Sequence, residues 1–114
     1  MSDTIFDKIL RKEIPARVVY EDADVFAFHD ISPQAPVHVL VIPKHKLVKF
    51  ADIAQAPDHV VAGLFKGAAK VAELLGLSEH GYRVVSNCGK DGGQTVDYLH
   101  LHILGKRRLS WPPG

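Results

Sequence analysis

The sequence predicts an α+β fold: an antiparallel sheet of about five strands, with a short N-terminal helix and one long helix packed against it. Three observations point to it. Tyr98-Leu99-His100-Leu101-His102-Ile103-Leu104 alternates polar and apolar side chains at the period of a strand. Val37-His38-Val39-Leu40-Val41-Ile42 is rich in β-branched residues and stops at Pro43. Val60, Val61, Leu64, Phe65, Ala68, Val71, Ala72 and Leu75 recur at helical spacing as one apolar stripe.

The remaining elements follow in chain order. Thr4 suits the N-cap of a helix whose Ile5, Phe6, Ile9 and Leu10 share a face, and Pro15 ends it. Arg17 to Tyr20 and Val25 to Asp30 read as two strands about the turn Glu21-Asp22-Ala23-Asp24. Ile31 to Pro36, with two prolines, is a rigid loop leading into the β-branched strand. Pro57 opens the long helix, and Gly76 lies where its C-terminus wants a left-handed residue. Tyr82 to Asn87 is a further strand, Gly89 to Gln94 a flexible loop, and Leu99 to Leu104 the last strand. Trp111-Pro112-Pro113-Gly114 fits neither helix nor central strand.

The chain has 114 residues, room for a single domain over 1–114. It carries 14 Lys and Arg against 13 Asp and Glu, a net charge of +1, which argues against a coat for nucleic acid or for an anionic membrane. Cys88 is the one cysteine, so an internal disulfide and a Cys-built zinc site are excluded. The N-terminus has no apolar signal core, and no stretch approaches the roughly eighteen apolar residues of a membrane span. The expectation is a cytoplasmic protein. Seven histidines are the unusual count, because histidine changes charge near neutral pH.

Alternation puts Tyr98, His100 and His102 on one solvent-facing stripe and turns Leu99, Leu101 and Ile103 into the core. His38 joins them if its strand lies alongside. Just upstream, Gly89 to Thr95 offers backbone N–H groups that suit an anion, with Asn87 and Thr95 as side-chain donors. Together these suggest work on a phosphate-like group: one imidazole attacks, another moves a proton, and N–H groups hold the oxygens. Spacing alone leaves alternatives open. An H-x-H pair with His38 also fits a three-histidine zinc site or a plain polar sheet face, and the glycine loop fits a hairpin connection. His45, His59, His80 and the run Lys106-Arg107-Arg108 read as solvated surface.

Longer motifs narrow the choice. Gly92-Gly93-Gln94-Thr95-Val96, His100-Leu101-His102-Ile103-Leu104-Gly105 and Trp111-Pro112-Pro113-Gly114 resemble the histidine-triad family, and the last of them resembles its Hint branch of nucleoside phosphoramidases. Phe26 to Pro36 and His38 to Lys44 extend the likeness over nearly the whole chain, Ile5 to Gly114. The resemblance implies a metal-free, cofactor-free hydrolase of purine nucleoside 5′-phosphoramidates, forming a homodimer. The nucleophile would be His100, with His102 and His38 beside the phosphate. Asn87, Gly93 and Thr95 would contact the phosphate, and Asp30 the ribose hydroxyls. Ile5, Phe6, Ile9, Phe28, His29 and Ile31 would surround the base, and Trp111 would reach toward the partner subunit's site. The family pattern has histidine where this chain has Tyr98, so Tyr98 is counted with the catalytic group and the rate is what its presence puts in question. A nucleotide-binding scaffold with weak catalysis and a dinucleoside polyphosphate hydrolase are the alternative expectations.

Overall fold

A computed structural model describes residues 2–114. A five-stranded antiparallel sheet runs in the order β1-β2-β3-β5-β4, from β1 (Val18–Glu21), β2 (Val25–His29), β3 (Val37–Pro43), β4 (Tyr82–Val85) and β5 (Leu101–Gly105). The helices are α1 (Ile5–Leu10), α2 (Asp58–Leu74) and the single turn α3 (Gly89–Gly92), with a 3₁₀ segment at Phe50–Gln55. No helix is long and apolar enough to cross a membrane among the described residues.

Local chemistry sets the boundaries. Thr4 caps α1 in a full capping box: its hydroxyl accepts from the Asp7 amide at 3.2 Å, and Asp7 Oδ2 accepts from the Thr4 amide at 2.7 Å. In the β1–β2 turn, Asp22 Oδ1 accepts from the amides of Asp24 and Val25 at 2.7 and 2.9 Å. Gly76 takes the left-handed conformation after α2, with φ of 72°. The expected loop at Gly89–Gln94 is instead the turn of α3, closed by Gly93 at φ 78°. The last strand also begins later than alternation implies, at Leu101, and Tyr98, Leu99 and His100 approach the sheet through a bend and irregular chain.

Both faces of the sheet are buried, and this corrects the expectation of a solvent-facing histidine stripe. On one face Val25, Ala27, Val39, Val41, Leu101 and Ile103 pack on Val60, Leu64, Ala68, Val71 and Ala72 of α2. Phe65 leaves that stripe and is 45% exposed. The opposite face holds Phe26, Phe28, Leu40 and Ile42 under Phe6 and Ile9 of α1, with Tyr98 in the same cluster. Each fully buried aliphatic or aromatic side chain contributes about 1.5–3 kcal/mol, so two such layers anchor the sheet from both sides. α1 can therefore be short, because packing rather than helix propensity holds it.

α2 comes close to the sheet at Gly67, where a Cβ would lie 2.7 Å from Val25 Cγ2 and 3.0 Å from Cγ1. Gly67→Ala should push α2 off the sheet and lower stability by about 1–3 kcal/mol in urea denaturation, despite alanine's better helix propensity. An alanine variant as stable as the native protein would show that the layer has room to spare.

Candidate functional site

The β3–β5 register puts His102 directly opposite Leu40, and His38 opposite Leu104. His38 and His102 are thus diagonal neighbours on the α1 face, where cross-strand side chains touch. His38 Nε2 and His102 Nδ1 are 2.9 Å apart. The Gln34 amide donates to His38 Nδ1 at 3.0 Å, so a neutral His38 carries its proton on Nε2. That N–H donates to His102 Nδ1, which leaves the His102 proton on Nε2. His102 Nε2 is itself buried and finds no partner among the described residues.

His100 has the complementary tautomer. Its Nδ1 lies 2.7 Å from the Tyr98 carbonyl, which only accepts, so Nδ1 carries the proton and the Nε2 lone pair is free. Phe6 meets the ring edge-on, with centroids 5.0 Å apart and planes at 86°, and the His102 ring lies 4.9 Å away. His100 and His38 are each only 5% exposed. Burial lowers the pKa of both, with Asp30 pulling the other way in each and the Tyr98 carbonyl also doing so for His100. For His102, burial together with the positive charge of neighbouring imidazoles brings the pKa down to about 4. All three rings are therefore neutral at pH 7.

Asp30 follows β2, and its Oδ1 is fixed by the Ser32 amide at 2.8 Å. Its Oδ2 stands 3.5 Å from His38 Nε2. Beside this group opens a cavity of about 370 Å³. Ile5, Phe6, Ile9, Phe28, His29, Asp30, Ile31, Thr95, His100 and His102, all named from sequence, line it. Leu40, Val96 and the segment Ile14 to Arg17 line it as well. Alternation with His38 would have found Leu40; the other positions depend on how the chain leaves α1 and enters β5, which no local pattern records. His38 stands behind His102 and outside the lining, as do Asn87, Gly93 and Trp111. Trp111 is 81% exposed, with the Arg83 guanidinium 6.0 Å from its ring.

Tyr98 lies on the α1 side of the sheet with the imidazoles, fully buried in the apolar cluster against Phe6, and its hydroxyl donates to the Pro43 carbonyl. It stands outside the cavity lining. Gln94, which the sequence pattern does not single out, joins three segments: Oε1 accepts from the Gly89 amide, and Nε2 donates to the Val48 and Val96 carbonyls.

This assembly can be compared with known proteins. The HIT domain family matches residues 11–109. The chain belongs to the HIT family. It is 54% identical over 113 residues to an uncharacterised HIT-like protein of Synechocystis sp., covering 98% of this chain and 97% of that one. It is 51% identical over 115 residues to a 14 kDa zinc-binding protein of Zea mays, covering 99% and 89%. Among solved structures, a HIT family hydrolase from Legionella pneumophila superposes with a TM-score of 0.93 at 46% identity, over 98% of this chain and 100% of that chain. The architecture of the sheet and helices is that of HIT-family structures.

Within this HIT site, one group of side chains could hold a metal: the donor atoms of Asp30, His38 and His102 lie within 4.8 Å of one another. The fit is imperfect. Ligands on tetrahedral zinc, with bonds of about 2.0–2.1 Å, stand roughly 3.4 Å apart. His38 Nε2 and His102 Nδ1 are closer, at 2.9 Å, and a metal would have to replace the hydrogen bond between them.

The buried histidines make stability depend on pH. Between about 4, the folded pKa of His102, and its ordinary 6.5, the unfolded chain binds more protons. Stability is therefore full above pH 6.5 and falls as the pH drops toward 4. His102→Gln should flatten thermal midpoints across this window, removing on the order of 2 kcal/mol of acid sensitivity. An unchanged slope would place the acid sensitivity elsewhere.

Proposed function

We propose that this HIT protein is a nucleotide-binding hydrolase, an adenosine 5′-monophosphoramidase-like enzyme of the Hint branch that cleaves the P–N bond of purine nucleoside 5′-phosphoramidates. The observation that supports this most is the His100 tautomer: with Nδ1–H held by the Tyr98 carbonyl, the Nε2 lone pair is left free for attack. In the first step Nε2 bonds the α-phosphorus and the P–N bond breaks. The amine departs with a proton drawn from solvent, leaving the nucleotide on His100. In the second step water bonds phosphorus and gives its proton to solvent, the P–Nε2 bond breaks, and an AMP-type product leaves. His102 Nε2–H donates to a phosphate oxygen throughout, and His38 holds that ring in place through its Nδ1.

In this reading the base lies among Ile5, Phe6, Ile9, Phe28, His29 and Ile31, and Asp30 receives the ribose hydroxyls. Thr95 meets the phosphate from the cavity wall, with Asn87 and Gly93 on the adjoining loop. We further propose a cytoplasmic homodimer of single-domain chains, requiring no metal. The edge strand β4 exposes Tyr82 and Val84, α2 exposes Phe65 and Leu74, and Trp111 projects from the tail, apolar surface that a second copy would cover.

The donor set Asp30, His38 and His102 favours one other reading, in which these residues take up zinc. Zinc titration with elemental analysis would decide it: one tightly held ion per chain supports it, and none removes it.

His100→Ala should lower turnover of an adenosine phosphoramidate by roughly three orders of magnitude or more, and no nucleotide should be found on the quenched protein. Near-native turnover in that variant would overturn the mechanism. AMP binding by the native protein without turnover would favour a binding module instead. In the active enzyme, kcat/KM should fall on the acid side with a midpoint below 6.5, because the lone pair on His100 must be free and burial lowers that pKa. A midpoint at or above 6.5 would contradict this assignment.

A further inference from the structure

We propose that the phenol of Tyr98 is a positioning group for the attacking imidazole, acting through the Tyr98–Leu99 peptide. This rests on His100 being the nucleophile.

The Tyr98 carbonyl and the Leu99 N–H belong to one planar peptide unit. The carbonyl accepts from His100 Nδ1 at 2.7 Å, and the N–H donates to the Leu47 carbonyl at 2.7 Å. This peptide lies ahead of β5, which begins at Leu101, so no strand pairing sets its plane, and the Leu47 carbonyl holds it at the N–H edge alone. Rotation of the plane would swing the only acceptor for His100 Nδ1 away from the ring. The tautomer that frees Nε2 would lose its preference.

The Tyr98 side chain supplies a second anchor. Its hydroxyl donates to the Pro43 carbonyl at the end of β3, a partner 55 residues away in sequence. The ring is fully buried, with Phe6 edge-on at 6.2 Å and Lys46 Nζ 5.6 Å from its centroid. Lys46 in turn donates to Asp7 Oδ2 at 2.8 Å, so the phenol is locked where α1, β3 and the approach to β5 meet. Phe6, which leans on Tyr98, also presents its edge to His100 at 5.0 Å. One side chain thus fixes both the acceptor behind the nucleophile and the aromatic wall beside it. Burial, with Asp7 nearby, pushes the Tyr98 pKa well up, so the hydroxyl stays a donor at any working pH. Phenylalanine would fill the same volume with the same packing; what the hydroxyl adds is direction.

The test is Tyr98→Phe, studied in the whole protein by turnover of an adenosine phosphoramidate and by ¹⁵N NMR of the histidine rings. The expected result is a native circular dichroism spectrum and a KM within about twofold. The kcat should fall about tenfold to a hundredfold, and His100 should move from a pure Nδ1–H form to a mixture of tautomers. 4-Aminophenylalanine at position 98 keeps a donor at the same place and should restore both readouts. Native kcat with an unaltered Nδ1–H signature in Tyr98→Phe would overturn the proposal. So would loss of the folded spectrum, since the hydroxyl would then support the fold and not the ring. If the native protein fails to turn over a phosphoramidate, the function proposed above falls, and the NMR comparison alone decides whether Tyr98 orients His100.

Discussion

The register of β3 against β5 is the constraint on which the rest of the site depends. With Leu40 opposite His102, the two strands bring His38 and His102 to hydrogen-bond distance across 64 residues of sequence. Side chains alternate along a strand, so a slip of β5 by one residue would send His102 into the α2 core and bring Ile103 out, and a slip of β3 would do the same with His38 and Val39. The apolar residues between them prevent this. Val39, Val41, Leu101 and Ile103 are almost completely buried against α2, and each would have to leave that layer together. The histidines hold their places because their neighbours are hydrophobic.

Burial on this face has an electrical consequence. Water is kept from His38 and His100 by α1 and by the second aromatic cluster, and charging an imidazole there is unfavourable. The rings answer by staying neutral and by sharing hydrogen bonds whose direction is dictated at the two ends. At one end a backbone N–H from Gln34 can only give, and at the other the Tyr98 carbonyl can only receive. Two main-chain groups thereby assign a different tautomer to each side of the site. The imidazole chemistry is written in the backbone as much as in the side chains.

Much of this was legible in the sequence, for identifiable reasons. Thr4, Gly76 and the prolines act within a few residues of themselves, so capping and termination could be read directly. The long amphipathic helix and the β-branched strand declare their period. What could not be read depends on tertiary partners. The histidine face looked solvent-exposed because alternation shows which residues share a side, not what covers that side. α1 covers it. Alternation puts Tyr98 on the side of His100 and His102, but it does not show that the ring precedes the strand and bonds the Pro43 carbonyl. Asn87 and Gly93, read as anion donors around the glycine segment, and Trp111, placed by family likeness, stand outside the cavity lining, and Gly89 to Gly92 coils where glycines suggested a loop.

The modest length of α1 has a dynamic corollary. Six residues held by one capping box, one lysine and a few aromatic contacts form a unit that can open without unfolding the sheet. Each opening would admit solvent to His100 and remove the reason its proton affinity is low. The fluctuation that widens the entrance would also raise the basicity of the lone pair at its floor, so that a proton competes for it more readily. Access and basicity thereby rise together, and α1 is the element whose breathing sets both.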